Sequence, residues 1–426
     1  MTGTPHLTLT PDQQSSLDGR RGPATAMAMR LVCGVAEAAG AQRLRPIDSA
    51  HVDGCLYHGQ AGLDLVEKFA ELGGRVAVRT TLNVGSLDLL HPGMVRTGHE
   101  TSAAAALMDA HVRLGCEPTW SCAPYQITHR PAFGTHVAWG ESNAIAFVNS
   151  VLGARTGRYG DFMDIAAALT GLVPDTGLHR DHGRRADVVL DCGDLPGALL
   201  ETDSAWAALG VVVGELAGTR VPALVGLPGN LEDGVTEDRL KALGAAAASA
   251  GGVALFHVVG VTPEAPTLTA VADALTPVVE VDLAHLRAAR TQLTTAIGDT
   301  VDAVSLGTPH FSVREFAALA TAIGAGPRFS PDVTVLVATS RAVLQEATRL
   351  GYVDIVEQAG ARILTDTCTY VAPVLSENIT TVMTNSGKWA WYAPGNLGVD
   401  VVLGDLHECV ASARVGRVVR DDRLWT

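Results

Sequence analysis

Apolar and polar positions along this chain fall into two recurring registers. Short runs rich in Val, Ile and Leu mark strands, and longer stretches with apolar residues three or four apart mark amphipathic helices. Their steady alternation predicts α/β domains with mainly parallel sheets. A helix is expected over Pro23–Ala39, before a strand at Arg45–Ile47. A second helix, Val66–Leu72, stops at Gly73-Gly74 and leads to a strand at Arg75–Val78 that runs into Thr80-Thr81-Leu82-Asn83. Glu100–Leu114 reads as a helix, followed by a loop carrying Cys116, Trp120, Cys122 and Tyr125. From Asn143 apolar residues recur at helical spacing, with Ser142 or Asn143 as N-cap and Gly153 as stop.

Gly171–Arg185 reads as a connection between units. Strands are then expected near Val188–Leu190, Val221–Val225 and Val253–Val259, with an alanine-rich helix over Glu237–Ala250. A last section opens near Thr276. Its strand Asp302–Leu306 leads to Gly307-Thr308-Pro309-His310, and Ser312 with Glu315 forms a capping box. Strands Val333–Ala338, Arg362–Leu364 and Val399–Leu403 follow, the second ending at Asp366-Thr367-Cys368 and the third preceding a helix that opens at Cys409. The expected division is 1–180, 181–275 and 276–426.

With 426 residues, 47% of them apolar, the chain can bury large cores in several domains without disulfides. It has no run of eighteen uncharged apolar residues, which argues against a membrane helix. The opening Met1–Arg21 is polar and carries no export signal, so a cytoplasmic protein with reduced thiols is expected. A formal charge of −14 disfavours nucleic acid and anionic membranes as partners. Lysine is scarce: Lys68 and Lys241 read as solvated helix residues, leaving Lys388 as the informative one.

Cys122, Cys368 and Cys409 stand where thiols are free to ligate: in a proline-interrupted loop, beyond a strand, and at a helix start whose dipole favours thiolate. Three such thiolates suit an iron–sulfur cluster with one position open to substrate, although a single free cysteine is more commonly an inert core residue. Cys33 and Cys192 read as core, and Cys55, which also follows a strand, is the alternative ligand.

The stretch Gly140-Glu141-Ser142-Asn143-Ala144-Ile145-Ala146-Phe147-Val148-Asn149-Ser150-Val151-Leu152-Gly153-Ala154-Arg155-Thr156 resembles the signature of the aconitase X family. So do Leu17–Gly22, Thr80–Asn83, Cys122–Tyr125, His257–Ala265, Asp366–Cys368, Thr384–Lys388 and Glu408-Cys409, in the same order. The resemblance implies an aconitase-like arrangement of three α/β domains around a central iron–sulfur site. It also implies ligation by Cys122, Cys368 and Cys409. The activity implied is dehydration of a small hydroxy acid, cis-3-hydroxy-L-proline in bacteria or mevalonate 5-phosphate in archaea. Many members carry a small swivel domain, fused or as a partner subunit; this chain leaves no segment for it.

Dehydration needs a carboxylate clamp, a base, and an acid or metal at the departing hydroxyl. Arg155 and Arg158 are the candidate clamp, with Thr81, Asn83, Glu141, Ser142, Asn143 and Thr156 as further substrate contacts. Ser386 and Lys388, in a glycine-containing loop, are the candidate proton-transfer pair, a buried lysine having a lowered pKa. His51 and Tyr125 are candidate acid or orienting groups, and His257, His310 and Glu264 stand behind them. A cluster-bearing regulator or RNA binder is the alternative of another class.

Overall fold

A computed structural model of the chain describes residues 7–426; residues 1–6, part of the polar opening, lie outside the described residues. Among the described residues, three parallel sheets carry the architecture. In the first, Ser49–Val52 lies between Arg79–Leu82 and Val137–Trp139. Every residue of its middle strand is buried, as a parallel sheet covered on both faces requires. Helices Pro23–Ala38, Gln60–Glu71, Thr101–Arg113 and Met163–Thr170 turn their apolar residues into the core around it.

The second sheet has the order His257–Val258, Pro222–Val225, Val188–Asp191, Val278–Glu280. Its last strand lies beyond residue 275, so the expected division there cuts through the sheet. The expected connection Gly171–Arg185 also holds structure: Leu172–Pro174 pairs antiparallel with Leu44–Pro46.

The third sheet runs Arg362–Leu364, Thr334–Thr339, Ala303–Phe311, Thr381–Thr384, Asp400–Leu403, all parallel. Its middle strand is irregular. Leu306 faces Val337 and Phe311 faces Thr339, so five steps on one strand match two on its neighbour. The surplus forms a bulge over Gly307–His310. Gly307 has φ +88° there, and a Cβ would come within 2.0 Å of the Ala338 carbonyl oxygen, so a glycine is required.

One apolar core crosses all three sheets, from Trp139 and Phe147 through Trp206 and Phe256 to Leu336 and Trp389. Helices Asp203–Ala217 and Val235–Ala250 lie at its centre. The alanine richness of the second has a packing cause: a Cβ at Gly210 would meet the Leu243 carbonyl at 2.5 Å, so the two backbones run in near contact. The Ser312–Glu315 capping box forms as expected. Ser386, expected in a loop, is the N-cap of helix Gly387–Leu397, which puts Lys388 in that helix's first turn. No helix among the described residues is long and apolar enough to cross a membrane.

Candidate active site

The loop before strand Val137–Trp139, the bulged end of strand Ala303–Phe311 and the loop after strand Arg362–Leu364 meet at a buried group of Cys122, His310 and Cys368. One ligand atom from each lies within 4.8 Å of the others. Each is delivered by a local device. Asn143 Nδ2 donates to the Cys122 carbonyl at 3.1 Å, and Tyr125 OH exchanges hydrogen bonds with Asn143 while its ring stacks on Phe147. His310 rides on the bulge; its amide donates to Cys122 Sγ at 3.3 Å. Its Nε2 lies 3.2 Å from the Thr367 carbonyl, a contact of the kind that orients a ligating imidazole, and its Nδ1 lies 3.2 Å from Ser121 Oγ, a hydroxyl that a metal at that nitrogen would displace. Cys368 follows Asp366, which has φ +63° and is gripped by Arg341 through both carboxylate oxygens at 2.7 and 2.6 Å.

The hydrogen bond with Cys122, together with burial, pushes the Cys368 thiol well above its ordinary pKa. Burial lowers the His310 imidazole to about 4, so it is neutral. A coordinating metal reverses the thiol's preference outright. Two thiols and one neutral imidazole, buried and leaving a position open, are a donor set that fits a transition metal or an iron–sulfur centre.

Cys409 does not join them. It sits one turn inside helix Leu406–Val415, in an apolar cluster with Val304, Phe316 and Val410. Burial, with Asp203, Asp405 and Glu408 nearby, raises its thiol rather than lowering it. The helix end is occupied by the Asp405–Glu408 capping box, so no thiol is presented there. His310 is the third member of the group instead. Cys55 is also spent, its thiol directed to the Asn83 carbonyl at 3.2 Å.

Beside the centre lies a buried ion pair between the first and third sheets. Lys388 Nζ is 2.5 Å from Glu141 Oε1 and 3.1 Å from Ser142 Oγ. Glu141, not Ser142 or Asn143, caps helix Ser142–Ser150, accepting from the Ala144 amide at 2.6 Å. Burial opposes charge on both partners, but their attraction outweighs it: Lys388 is held well above its ordinary pKa and Glu141 below. The shift of Lys388 thus runs opposite to the lowered value expected, with its ammonium held by Glu141 and Ser142. Ser386 accepts from the Trp389 amide at 3.0 Å and donates to the Thr308 carbonyl, and it faces a cavity of ≈ 330 Å³.

The carboxyl ends of the first sheet add a polar network. His51 Nδ1 meets Thr81 Oγ1 at 2.8 Å, and Asn83 Nδ2 donates to Asp53. Burial and the charges of Glu141, Asp161 and Asp164 raise Asp53 to about 7; burial lowers His51 to about 3. His51 Nε2, Asn83 Oδ1, Thr308 Oγ1 and Thr367 Oγ1 are buried without a partner among the described residues. Such atoms call for a partner, an ordered water or a ligand.

The remaining expected contacts lie elsewhere. Arg155 pairs with Asp181 at 2.6 Å, in a separate cleft. Thr156 is internal scaffolding, accepting from the Trp139 amide and donating to the Gly157 carbonyl. Arg158 bonds the Ala248 carbonyl. Glu264 neutralises Arg184, and His257 anchors the Arg184 carbonyl. Three groups at the site escaped the sequence reading in part or whole. Asp53 carried no signal beyond following a strand. His310 stood in the second rank. Lys241, taken for a solvated helix residue, is buried, 3.3 Å from the His310 carbonyl, and paired with Glu315. The scarcity of lysine was the available signal.

Fold and site together define an α/β enzyme whose thiol–imidazole centre and buried acid–base groups collect at the carboxyl ends of parallel strands, where such proteins bind ligands. The chain matches the Aconitase X first domain over residues 6–182, the second over 186–291 and the third over 301–415. It belongs to the aconitase X family. It is 41% identical over 95% of its length to cis-3-hydroxy-L-proline dehydratase of Pseudomonas aeruginosa, covering 69% of that protein. To the large subunit of phosphomevalonate dehydratase of Methanothermobacter thermautotrophicus it is 36% identical, over 95% of this chain and 98% of that one. A crystal structure of Thermococcus kodakaraensis aconitase X in its holo form superposes with TM-score 0.85 at 33% identity, covering 96% of this chain and 100% of that one. The relatives are dehydratases, as the sequence reading of the family expects.

Proposed function

We propose that this chain is a hydro-lyase of a small hydroxy acid, with cis-3-hydroxy-L-proline the substrate, as in the relatives matched at 41% and 38% identity, and Δ1-pyrroline-2-carboxylate the product. The observation that carries the proposal is the Lys388–Glu141 pair set beside Cys122, His310 and Cys368. Those three residues would hold an iron–sulfur centre, whose exposed metal supplies Lewis acidity toward a hydroxyl.

The chain's own groups account for the rest. Lys388, protonated at Nζ, attracts the substrate carboxylate, with Ser142 Oγ beside it. The orphaned His51 Nε2 and Asn83 Oδ1 are candidate partners for the substrate's polar atoms. Asp53, which Asn83 Nδ2 bonds just beyond its strand and which burial raises to about 7, is the group put forward as the base. The proton leaves the carbon beside the substrate carboxylate, hydroxide departs from the neighbouring carbon, and the enamine formed tautomerises to the imine. Ser386 remains at the cavity wall as a contact.

The second reading is the large subunit of a mevalonate 5-phosphate dehydratase, supported by the archaeal relatives named as large subunits. A small partner subunit belongs to that reading. The experiment is anaerobic loading with iron and sulfide, then a paired assay of cis-3-hydroxy-L-proline and mevalonate 5-phosphate, with and without an added small subunit. Turnover of the first alone supports the proposal. Turnover of the phosphate with the small subunit moves the assignment to the second reading, and turnover of neither ends both.

A further inference from the structure

The Val137–Trp139 strand delivers Gly140 and Glu141 to the active site at one end. At its other end, His136 bridges to Arg155. Three strand residues span about 10 Å, and the nine-residue helix Ser142–Ser150 that leads from Glu141 toward Arg155 spans about 14 Å at its usual rise. The groups around Arg155 are therefore a separate place in the fold.

There a cleft of ≈ 740 Å³ gathers the guanidinium groups of Arg43, Arg45, Arg155 and Arg180. Two carboxylates answer four cations. Asp175 is fully buried and already saturated: Arg43 Nε lies at 2.6 Å, Arg45 Nε at 2.7 Å and Arg180 Nη2 at 3.3 Å. It fixes the forks from behind. Asp181, by contrast, has a side chain 87% exposed and meets only Arg155, at 2.6 Å. The Nε atoms of Arg155 and Arg180 are buried with no partner among the described residues. Buried donors of this kind require an acceptor, and planar guanidiniums match paired oxygens.

We propose that this cleft is a binding site for a compact oxyanion carrying at least two negative charges, a phosphate group or a dicarboxylate, with Asp181 as an internal competitor that occupies Arg155 until the ligand displaces it. The concentration of cationic groups in a chain of net charge −14 fits a site with a ligand of its own. An exposed carboxylate on one arginine and a saturated one behind the others leave the cleft strongly donor-rich.

The test is calorimetric titration of the full chain with inorganic phosphate and, separately, with succinate, at constant ionic strength against chloride. Saturable binding of at least one anion is expected, and which one binds separates the phosphate from the carboxylate source. Arg155→Gln and Arg180→Gln each weaken that binding about tenfold, the loss of one charge-assisted hydrogen bond. Asp181→Asn, a change at an exposed position, tightens it severalfold by removing the competitor. Absence of saturable binding overturns the proposal, as does an Asp181→Asn variant that binds no more tightly than the parent.

Discussion

Lys388 Nζ and Glu141 Oε1 lie 2.5 Å apart although 247 positions separate them in the chain. One belongs to the first turn of a helix in the last part of the chain, the other caps a helix in the first. Both side chains are buried, and the pair ties the first sheet's loops to the third's beside the thiol centre.

That arrangement fixes the outcome of a double substitution. Lys388→Met leaves Glu141 buried without its counter-charge and costs about 3–5 kcal/mol. Adding Glu141→Gln recovers most of that loss. The pair's contribution is complete above the ordinary glutamate range and is lost as pH falls through the lowered folded value of Glu141. Urea unfolding of the four proteins at neutral pH measures the cycle; additive losses would contradict the coupling.

The ligand set separates from the other cysteines by spectroscopy. After anaerobic loading with iron and sulfide, Cys122→Ser, Cys368→Ser and His310→Ala lose the visible absorption. Cys409→Ser retains it, and instead lowers stability by about 1–3 kcal/mol by placing a hydroxyl in an apolar cluster. Bleaching by Cys409→Ser with retention in His310→Ala would restore the three-cysteine set.

Three of the four buried histidines outside the ligand group set the acid limit. Burial is the largest cause in each: His51 and His179 are lowered to about 3, His111 to about 4. Unfolded, they bind protons from about pH 6.5 downward, whereas folded they do not until far lower. Stability is therefore highest above that value and falls on acidification, by about 1.4 kcal/mol per pH unit for each histidine. Denaturation midpoints of the metal-free protein between pH 7 and 5 test the slope, and His111→Gln should flatten it. A midpoint independent of pH over that range would refute the assignment.

Lys241 should act on the centre without touching it. Its ammonium holds the His310 carbonyl at 3.3 Å and neutralises Glu315, so Lys241→Met frees the bulge and strands a buried acid. Metal affinity measured by titration of cobalt(II) absorption falls about tenfold or more, while Lys241→Arg keeps part of it. Unchanged affinity in Lys241→Met would reduce the residue to a packing role.

Local pattern was enough for some elements, Pro23–Ala38, the Ser312–Glu315 capping box and Arg362–Leu364, whereas the strand expected at Arg75–Val78 forms at Arg79–Leu82 and the cap expected at Ser142 or Asn143 is Glu141. It marked Cys122 and Cys368 as candidates, which the structure brings together, and the long Gly140–Thr156 stretch carried the family resemblance. Other assignments needed the tertiary structure. Cys409 and His310 exchange places because a register shift against the Thr334–Thr339 strand, invisible in either segment alone, lifts His310 toward Cys122. Lys388 and Lys241 look alike as sequence letters, yet each acquires its charge and partner from a carboxylate brought by another element. Arg155 follows an apolar helix whose far end, rather than its near one, faces the centre. Spacing along a chain reports which residues share an element; which elements meet, and which carboxylate a buried cation finds, depends on contacts between distant segments.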